Sequence, residues 1–184
     1  MSRTLRAALA FGAGLAVLAG NVSAAHAAPT APRAAVPTPS VVKLQVEHSG
    51  KCLTVAGGSL ANGANAVQTT CTDGADNQSF QLIPAGNATF MVRAMHSGKC
   101  LEVENSGTGA GANVQQWWCV DGPQQRWRLV MVDAPKKLYE LRPTHTDNRC
   151  LDIAGSSLND GANAGQWYCN GDANQRWRLK PAKA

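Results

Sequence analysis

A chain of 184 residues is long enough for one folded domain and a short extension. With 44% hydrophobic, 16% charged and 5% aromatic residues, it is too apolar for a disordered chain and too lightly charged for a coiled coil. The 17 Lys+Arg against 12 Asp+Glu give a net charge of +5, a basic excess too mild to argue by itself for a nucleic-acid partner.

The first element in chain order reads as an export signal. Arg3 and Arg6 form a positive n-region, and Ala7 to Gly20 is an uncharged apolar run, suited to a signal core and too short to span a bilayer. Ala25-His26-Ala27 fits the A-x-A cleavage pattern, so the leader is assigned to residues 1–27, with a cut after Ala24 as the alternative. A retained anchor is the competing reading. No other apolar run reaches spanning length, so no membrane insertion is expected. Removing the leader takes two basic residues and no acidic one, which lowers the net charge by two. Export also puts the six cysteines in an oxidising compartment. Residues 28–40, APTAPRAAVPTPS, carry Pro29, Pro32, Pro37 and Pro39 and read as an extended tether without a core of its own. The folded part begins near Val41.

From there to residue 184 one unit is written three times, over about 41–87, 88–136 and 137–184. Cys52 and Cys71, Cys100 and Cys119, and Cys150 and Cys169 are each 19 residues apart. A short basic turn precedes each first cysteine (HSGKC at His48 and His96, TDNRC at Thr146), and an alternating strand follows it (CLTV, CLEV, CLDI). Each unit then has a Gly-Ala-Asn turn at Gly63, Gly111 or Gly161 and a second strand that ends in the second cysteine. Each closes on Gln-x-aromatic: Gln78-Ser79-Phe80, Gln125-Arg126-Trp127, Gln175-Arg176-Trp177. The segments between these marks are short and bounded by Gly, Asn, Asp and Ser, which predicts about four strands per repeat and no helix after the leader. One unit cannot bury a core alone but three can, so the expectation is an all-β domain with pseudo-threefold symmetry and about twelve strands.

Six cysteines allow 15 connectivities. Equal spacing favours Cys52–Cys71, Cys100–Cys119 and Cys150–Cys169, one bond per repeat, each closing a loop of about 20 residues worth roughly 3 kcal/mol in the chain-entropy model. A zinc site is the rival, because His48 and His96 stand four residues before a cysteine. Against it are the lack of a C-x-x-C pair and the oxidation of exported thiols, so no metal or other cofactor is expected. If each pair faces across two antiparallel strands, Thr54 lies opposite Thr69, Glu102 opposite Trp117 and Asp152 opposite Trp167, with Cβ atoms about 5 Å apart. The other face, with Leu53/Val55, Leu101/Val103 and Leu151/Ile153, is then core. A carboxylate beside an indole suits a sugar: the ring covers the C–H face of a pyranose and the carboxylate accepts from hydroxyls.

The threefold Cys-Leu-acid-hydrophobic, Gln-Gln-Trp-x-Cys and Gln-x-Trp pattern resembles the ricin B-chain type lectin domain, also found as a carbohydrate-binding module on bacterial glycosidases. The resemblance covers about residues 41–184 and implies a β-trefoil of twelve strands. It implies that Phe80, Trp127 and Trp177 are core, which turns Arg126, Arg128, Arg176 and Arg178 outward. Its sugar site has an Asp two after the first Cys, a Gln four before the second, an aromatic near the second Cys and an Asn before the Gln of Gln-x-Trp. The third repeat matches with Asp152, Trp167, Asn174 and Gln175, departing at Gly165, with Gln166 one place later. The second repeat has Glu102, Gln115, Trp117 and Gln125, with Gln124 where Asn is expected. The first repeat keeps only Asn77 and Gln78, with Thr54, Val67 and Thr69 at the other places, and is expected to be structural. Trp118 and Tyr168 face the other way as core or rim residues.

Other functions fit less well. Glu102 and Glu104 on one strand face, about 7 Å apart, fall within the spacing of glycosidase carboxylates. Glu104 has no counterpart in the other repeats and no Ser-His-Asp set recurs, so the chain reads as non-catalytic. The fold also carries protease inhibitors and polyanion binders, by analogy only. No reactive loop is marked and the basic residues are dispersed. The reading is a secreted monomeric lectin whose partners are galactoside- or xylan-type glycans, bound mainly through the third repeat and secondarily the second. Asn77-Gln-Ser and Asn87-Ala-Thr are glycosylation sequons.

Overall fold

The structure, a computed structural model, describes residues 41–182. The expected leader and tether lie outside the described residues. Each repeat contributes four strands: β1 (Val41–Val46), β2 (Cys52–Val55), β3 (Ala66–Thr69) and β4 (Phe80–Pro84); β5 (Thr89–Ala94), β6 (Cys100–Val103), β7 (Val114–Trp117) and β8 (Arg126–Asp133); β9 (Leu138–Pro143), β10 (Arg149–Ile153), β11 (Ala164–Tyr168) and β12 (Trp177–Pro181). Among the described residues the only helices are six single turns of 3-10 type, as expected for short segments broken by Gly and Asn.

Six strands close a barrel. β1 pairs with β4, β4 with β5, β5 with β8, β8 with β9, β9 with β12, and β12 returns to β1 through Val46↔Trp177. Closure leaves these strands no free edge. Alternation turns Val42, Leu44 and Val46 inward, and the same holds for Phe80 and Leu82, Val92 and Ala94, Trp127, Leu141 and Trp177. The hairpins β2–β3, β6–β7 and β10–β11 cap one end and add Leu53, Val55, Leu101, Val103, Leu151 and Ile153 to the same core. Burial of each such side chain is worth about 1.5–3 kcal/mol. Phe80, Trp127 and Trp177 are fully buried, and the two indoles donate to Leu101 O (3.3 Å) and Leu151 O (3.1 Å). The fold is a β-trefoil with one disulfide per repeat, Cys52–Cys71, Cys100–Cys119 and Cys150–Cys169.

The hairpins lock to one another in a cycle. Gln68, Gln116 and Gln166 are each fully buried. Gln116 donates both amide hydrogens to Ser59 O (2.7 Å) and Ala61 O (2.8 Å) of the first repeat. Gln166 does the same to Gly107 O and Gly109 O of the second, and Gln68 to Ser157 O and Asn159 O of the third. Their backbones exchange bonds with the same loops, for example Gln166 N to Ala112 O (2.9 Å) and Gly111 N to Gln166 O (2.7 Å). His96, His145 and His48 add ring N–H bonds to Ser59 O, Gly107 O and Ser157 O. Near the pseudo-threefold axis Asn163 donates to Asn113, which donates to Asn65 (2.9 Å each). The histidines are thus loop clamps.

The expected hairpin register differs from the structure by two residues. Cys52 pairs with Thr69 and Thr54 with Val67; Cys100 with Trp117 and Glu102 with Gln115; Cys150 with Trp167 and Asp152 with Gly165. The second cysteines stand beyond the strand pairing, so each disulfide crosses diagonally rather than joining opposite residues. A shift of two preserves the pleat, so every residue stays on its expected face. The Glu102/Glu104 pairing fails outright. Strand β6 ends at Val103, and Glu104 opens a 3-10 turn in which Asn105 has φ 52.

Replacing Gln116 with Leu, of similar volume, removes its bonds to Ser59 O and Ala61 O and the one it accepts from Ser97 Oγ, while Ser59 O keeps its His96 partner, and is expected to cost about 1–3 kcal/mol. Urea denaturation measures it. A loss below 0.5 kcal/mol, the range of ordinary surface substitutions, shows that the clamp is not needed.

Candidate functional site

The third hairpin builds an open cleft of about 370 Å³. Asp152 comes from β10, Trp167 from β11, and Asn174 from the 3-10 turn Ala173–Gln175 that precedes the buried Trp177. Asp152 Oδ2 accepts from Asn174 Nδ2 (2.8 Å) and Gln175 Nε2 (2.9 Å). Oδ1 takes no bond from any described residue, which leaves an oriented acceptor at the cleft. Burial raises the Asp152 carboxyl above the usual carboxylate range, and the Gln175 and Asn174 bonds oppose that rise. Trp167 is 46% exposed, its ring open to a ligand.

The wall facing Trp167 belongs to the preceding repeat. A Cβ on Gly111 would stand 3.6 Å from Trp167 Cζ3, and at φ +87 this position favours glycine in any case. Opposite Asp152 is Gly165, where a Cβ would lie 3.0 Å from Ala112 O. The missing side chain both admits the neighbouring backbone and opens the cleft floor. Gln166 lines the cleft, yet both its amide hydrogens are spent on the 107–109 loop, so it positions the wall and offers no donor to a ligand. Gln175 is fully buried and holds Asp152 to Tyr168 O (2.9 Å).

The second repeat repeats the plan with less room, about 250 Å³. Gln115 stands where Gly165 does and donates to Glu102 Oε1 (3.1 Å), while Gln125 donates to Oε2 (3.0 Å). Both Glu102 oxygens are therefore already engaged, beside a Trp117 that is 38% exposed, with Gln124 on the rim. In the first repeat Thr54 and Thr69 share a hydroxyl bond (2.7 Å), and Gln78 donates to Thr69 Oγ1. Neither an acceptor carboxylate nor a ring is present at those positions.

Trp118 and Tyr168 are rim residues, 61% and 51% exposed, with Lys99 Nζ 3.8 Å and the Arg149 guanidinium 4.0 Å from their ring centroids. One cluster of potential metal ligands occurs among the described residues, Glu140 with Cys150 and Cys169, and its cysteines are joined in a disulfide, so they offer no thiolate. Sequence reasoning missed Gly111, Asn163 and Asp172 of the cleft lining. Gly111 and Asn163 lie in Gly-Ala-Asn turns, whose inward approach only the assembled trefoil reveals. Asp172 had a readable signal: the residue before the corresponding turn is Ala75 in the first repeat and Gly122 in the second.

The family model described as ricin-type beta-trefoil lectin domain-like matches residues 34–117, 90–167 and 123–184. Among solved structures, the designed 3-fold symmetric protein ThreeFoil is 41% identical, over 76% of this chain and 97% of its own, with a TM-score of 0.72. The exo-beta-1,3-galactanase 1,3Gal43A of Clostridium thermocellum is 29% identical, over 79% of this chain and 31% of its own, with a TM-score of 0.73. The ricin B-like lectin of Macrolepiota procera shares the fold at 18% identity, over 79% and 98%, with a TM-score of 0.68. No curated protein matches the chain.

Burial sets a direction for titration. Asp152, raised, is expected to take up its proton at a higher pH than Asp160 or Asp121, which bonds from Lys51 and Arg126 hold below the usual range. A raised folded-state value means Asp152 opposes folding as pH rises through its range, so acidification does not unfold the domain on its account; the lowered Asp160 and Asp121 contribute stability that is lost as pH falls. Carboxyl NMR titration checks the order, and Asp152 titrating below Asp160 contradicts it.

Proposed function

Because this chain belongs to the ricin-type beta-trefoil lectin domain-like family, we propose that it is an exported, non-catalytic carbohydrate-binding protein whose principal site is the third-repeat cleft. The observation that carries this reading is Asp152 Oδ1, an oriented acceptor that takes no bond from any described residue, beside the exposed ring of Trp167. A pyranose laid with its C–H face on the indole presents ring-edge hydroxyls to that oxygen. Asn174 and Gln175 hold the carboxylate still, which reduces the ordering cost of binding. Gln166 contributes by fixing the loop that carries Gly111.

The second repeat is the weaker site. Gln115 and Gln125 already occupy the Glu102 oxygens, so a sugar hydroxyl must compete with protein amides there. The first repeat is structural. Of galactoside- and xylan-type glycans, the 29% likeness to an exo-beta-1,3-galactanase favours galactosides. Two unequal sites on one rigid body gain by avidity on a polymer or cell surface. The leader read at 1–27 and the tether read at 28–40 support a location outside the cell.

Trp167→Ala and Asp152→Ala are each expected to weaken glycan binding by at least tenfold, with urea midpoints close to the parent's, while Glu102→Ala has a smaller effect. A glycan array followed by calorimetry makes the measurement. Normal binding by both third-repeat variants refutes the site assignment, and an array blank for the parent protein refutes the lectin reading.

Filling the floor offers a second check. Gly165→Gln places an amide towards Asp152, as Gln115 does against Glu102, and its Cβ, 3.0 Å from Ala112 O, pushes back the neighbouring wall; both effects are expected to lower third-site affinity. Unchanged affinity in a folded Gly165→Gln variant argues that the open floor is irrelevant.

A further inference from the structure

The third-repeat cleft carries its uncommitted charge in carboxylate oxygens alone, and its free donors are all neutral. Asn163 spends its amide hydrogens on Asn113 Oδ1 and Ala164 O, and Gln166 on Gly107 O and Gly109 O. Asn174 spends its pair on Asp152 Oδ2 and Ile153 O, and Gln175 on Asp152 Oδ2 and Tyr168 O. The Asn174 orientation is forced, because turning the amide over would set its oxygen against two acceptors. Its Oδ1 is consequently left buried without a partner.

The charged groups that remain uncommitted in this lining are carboxylate oxygens. Asp152 has one free carboxylate oxygen. Asp172, exposed on the rim, uses Oδ2 to accept from Asn170 Nδ2 (2.6 Å) and has its other oxygen free. The uncommitted side-chain donors are the Ser156 hydroxyl, the Trp167 indole N–H and one Asn170 amide hydrogen, all neutral. Two carboxylates and no Lys, Arg or His line this cleft. The second cleft has only Glu102, whose oxygens are engaged. The charges of His48, outside the lining, and of Asp172 both reach Asp152, the first lowering its carboxyl and the second raising it.

We propose that the third-repeat cleft selects a hexosamine carrying a free ammonium group over its neutral and acidic counterparts, with Asp172 joining Asp152 as counter-charge. The proposal rests on the reading of this cleft as a sugar site. An ammonium brings three donors and no acceptor, which complements a lining of free oxygens. A uronate or sulfate brings acceptors that find no charged donor and meets repulsion from both carboxylates. A neutral hydroxyl is accepted but gains nothing from the second charge. One ion pair at contact distance in water corresponds to about fivefold in affinity, and this sets the scale of the preference.

Calorimetry at low salt with galactose, galactosamine and galacturonic acid, and the gluco trio in parallel, tests this with sugars that differ in one group. The expected order is amine, neutral, acid, with the amine about fivefold tighter than the neutral sugar. That margin shrinks at high salt. In Asp172→Asn the amine-to-neutral ratio falls towards one. An equal affinity for amine and neutral sugar in the parent protein, or a ratio that Asp172→Asn leaves unchanged, overturns the amine preference while the sugar site stands. No binding of any member of either trio removes the sugar site and this proposal together.

Discussion

Three buried glutamines hold the hairpins of this trefoil to one another, and the rest of the structure depends on that cycle. Gln68, Gln116 and Gln166 each reach into the preceding repeat in the ring and donate to two part-buried loop carbonyls, one of which also accepts from a histidine ring. Such carbonyls are costly when stranded, more so than the bond is favourable when made. Because each repeat clamps another and is clamped in turn, the repeats are not independent beads. A unit of under 50 residues gains both its core and its loop conformations only in the closed set of three.

The same cycle makes the cleft a product of two repeats. Gln166 fixes the loop that leads into Gly111, and Gly111 packs against Trp167. The acceptor, the plate and the holding amides are local to the third repeat, but the wall is not. Binding geometry and fold stability thus share a residue: Gln166 contacts no sugar in the proposed mode, yet its loss would loosen the wall of the site.

Divergence among the repeats follows this architecture. The positions that serve the core keep their character, as at Phe80, Trp127 and Trp177, all fully buried. The positions that face the clefts vary freely because they hold no neighbour in place. Thr54 and Thr69 close the first site with a hydroxyl bond, Gln115 half-fills the second, and Gly165 opens the third. One scaffold therefore presents a closed, a narrow and an open version of the same pocket, and only the open one gathers a second carboxylate, Asp172.

Much of this was legible in the amino-acid order, because repetition reports on symmetry and pleat parity reports on faces. The cysteine spacing, the twelve short strands, the buried Gln-x-aromatic rings and the meeting of Asp152 with Trp167 in one cleft all follow from offsets within a repeat. The hairpin register did not, since equal spacing cannot tell an opposite cysteine pair from a diagonal one, and strand β6 ended one residue before Glu104. Gln166 read as a ligand contact because neighbours along the chain say nothing of which loop a buried amide will meet. Local pattern determined what each repeat is; the tertiary structure alone decided what the repeats do to one another, because the carbonyls that Gln166 satisfies and the glycine that faces Trp167 are some 55 residues away in the chain and adjacent only once the ring has closed.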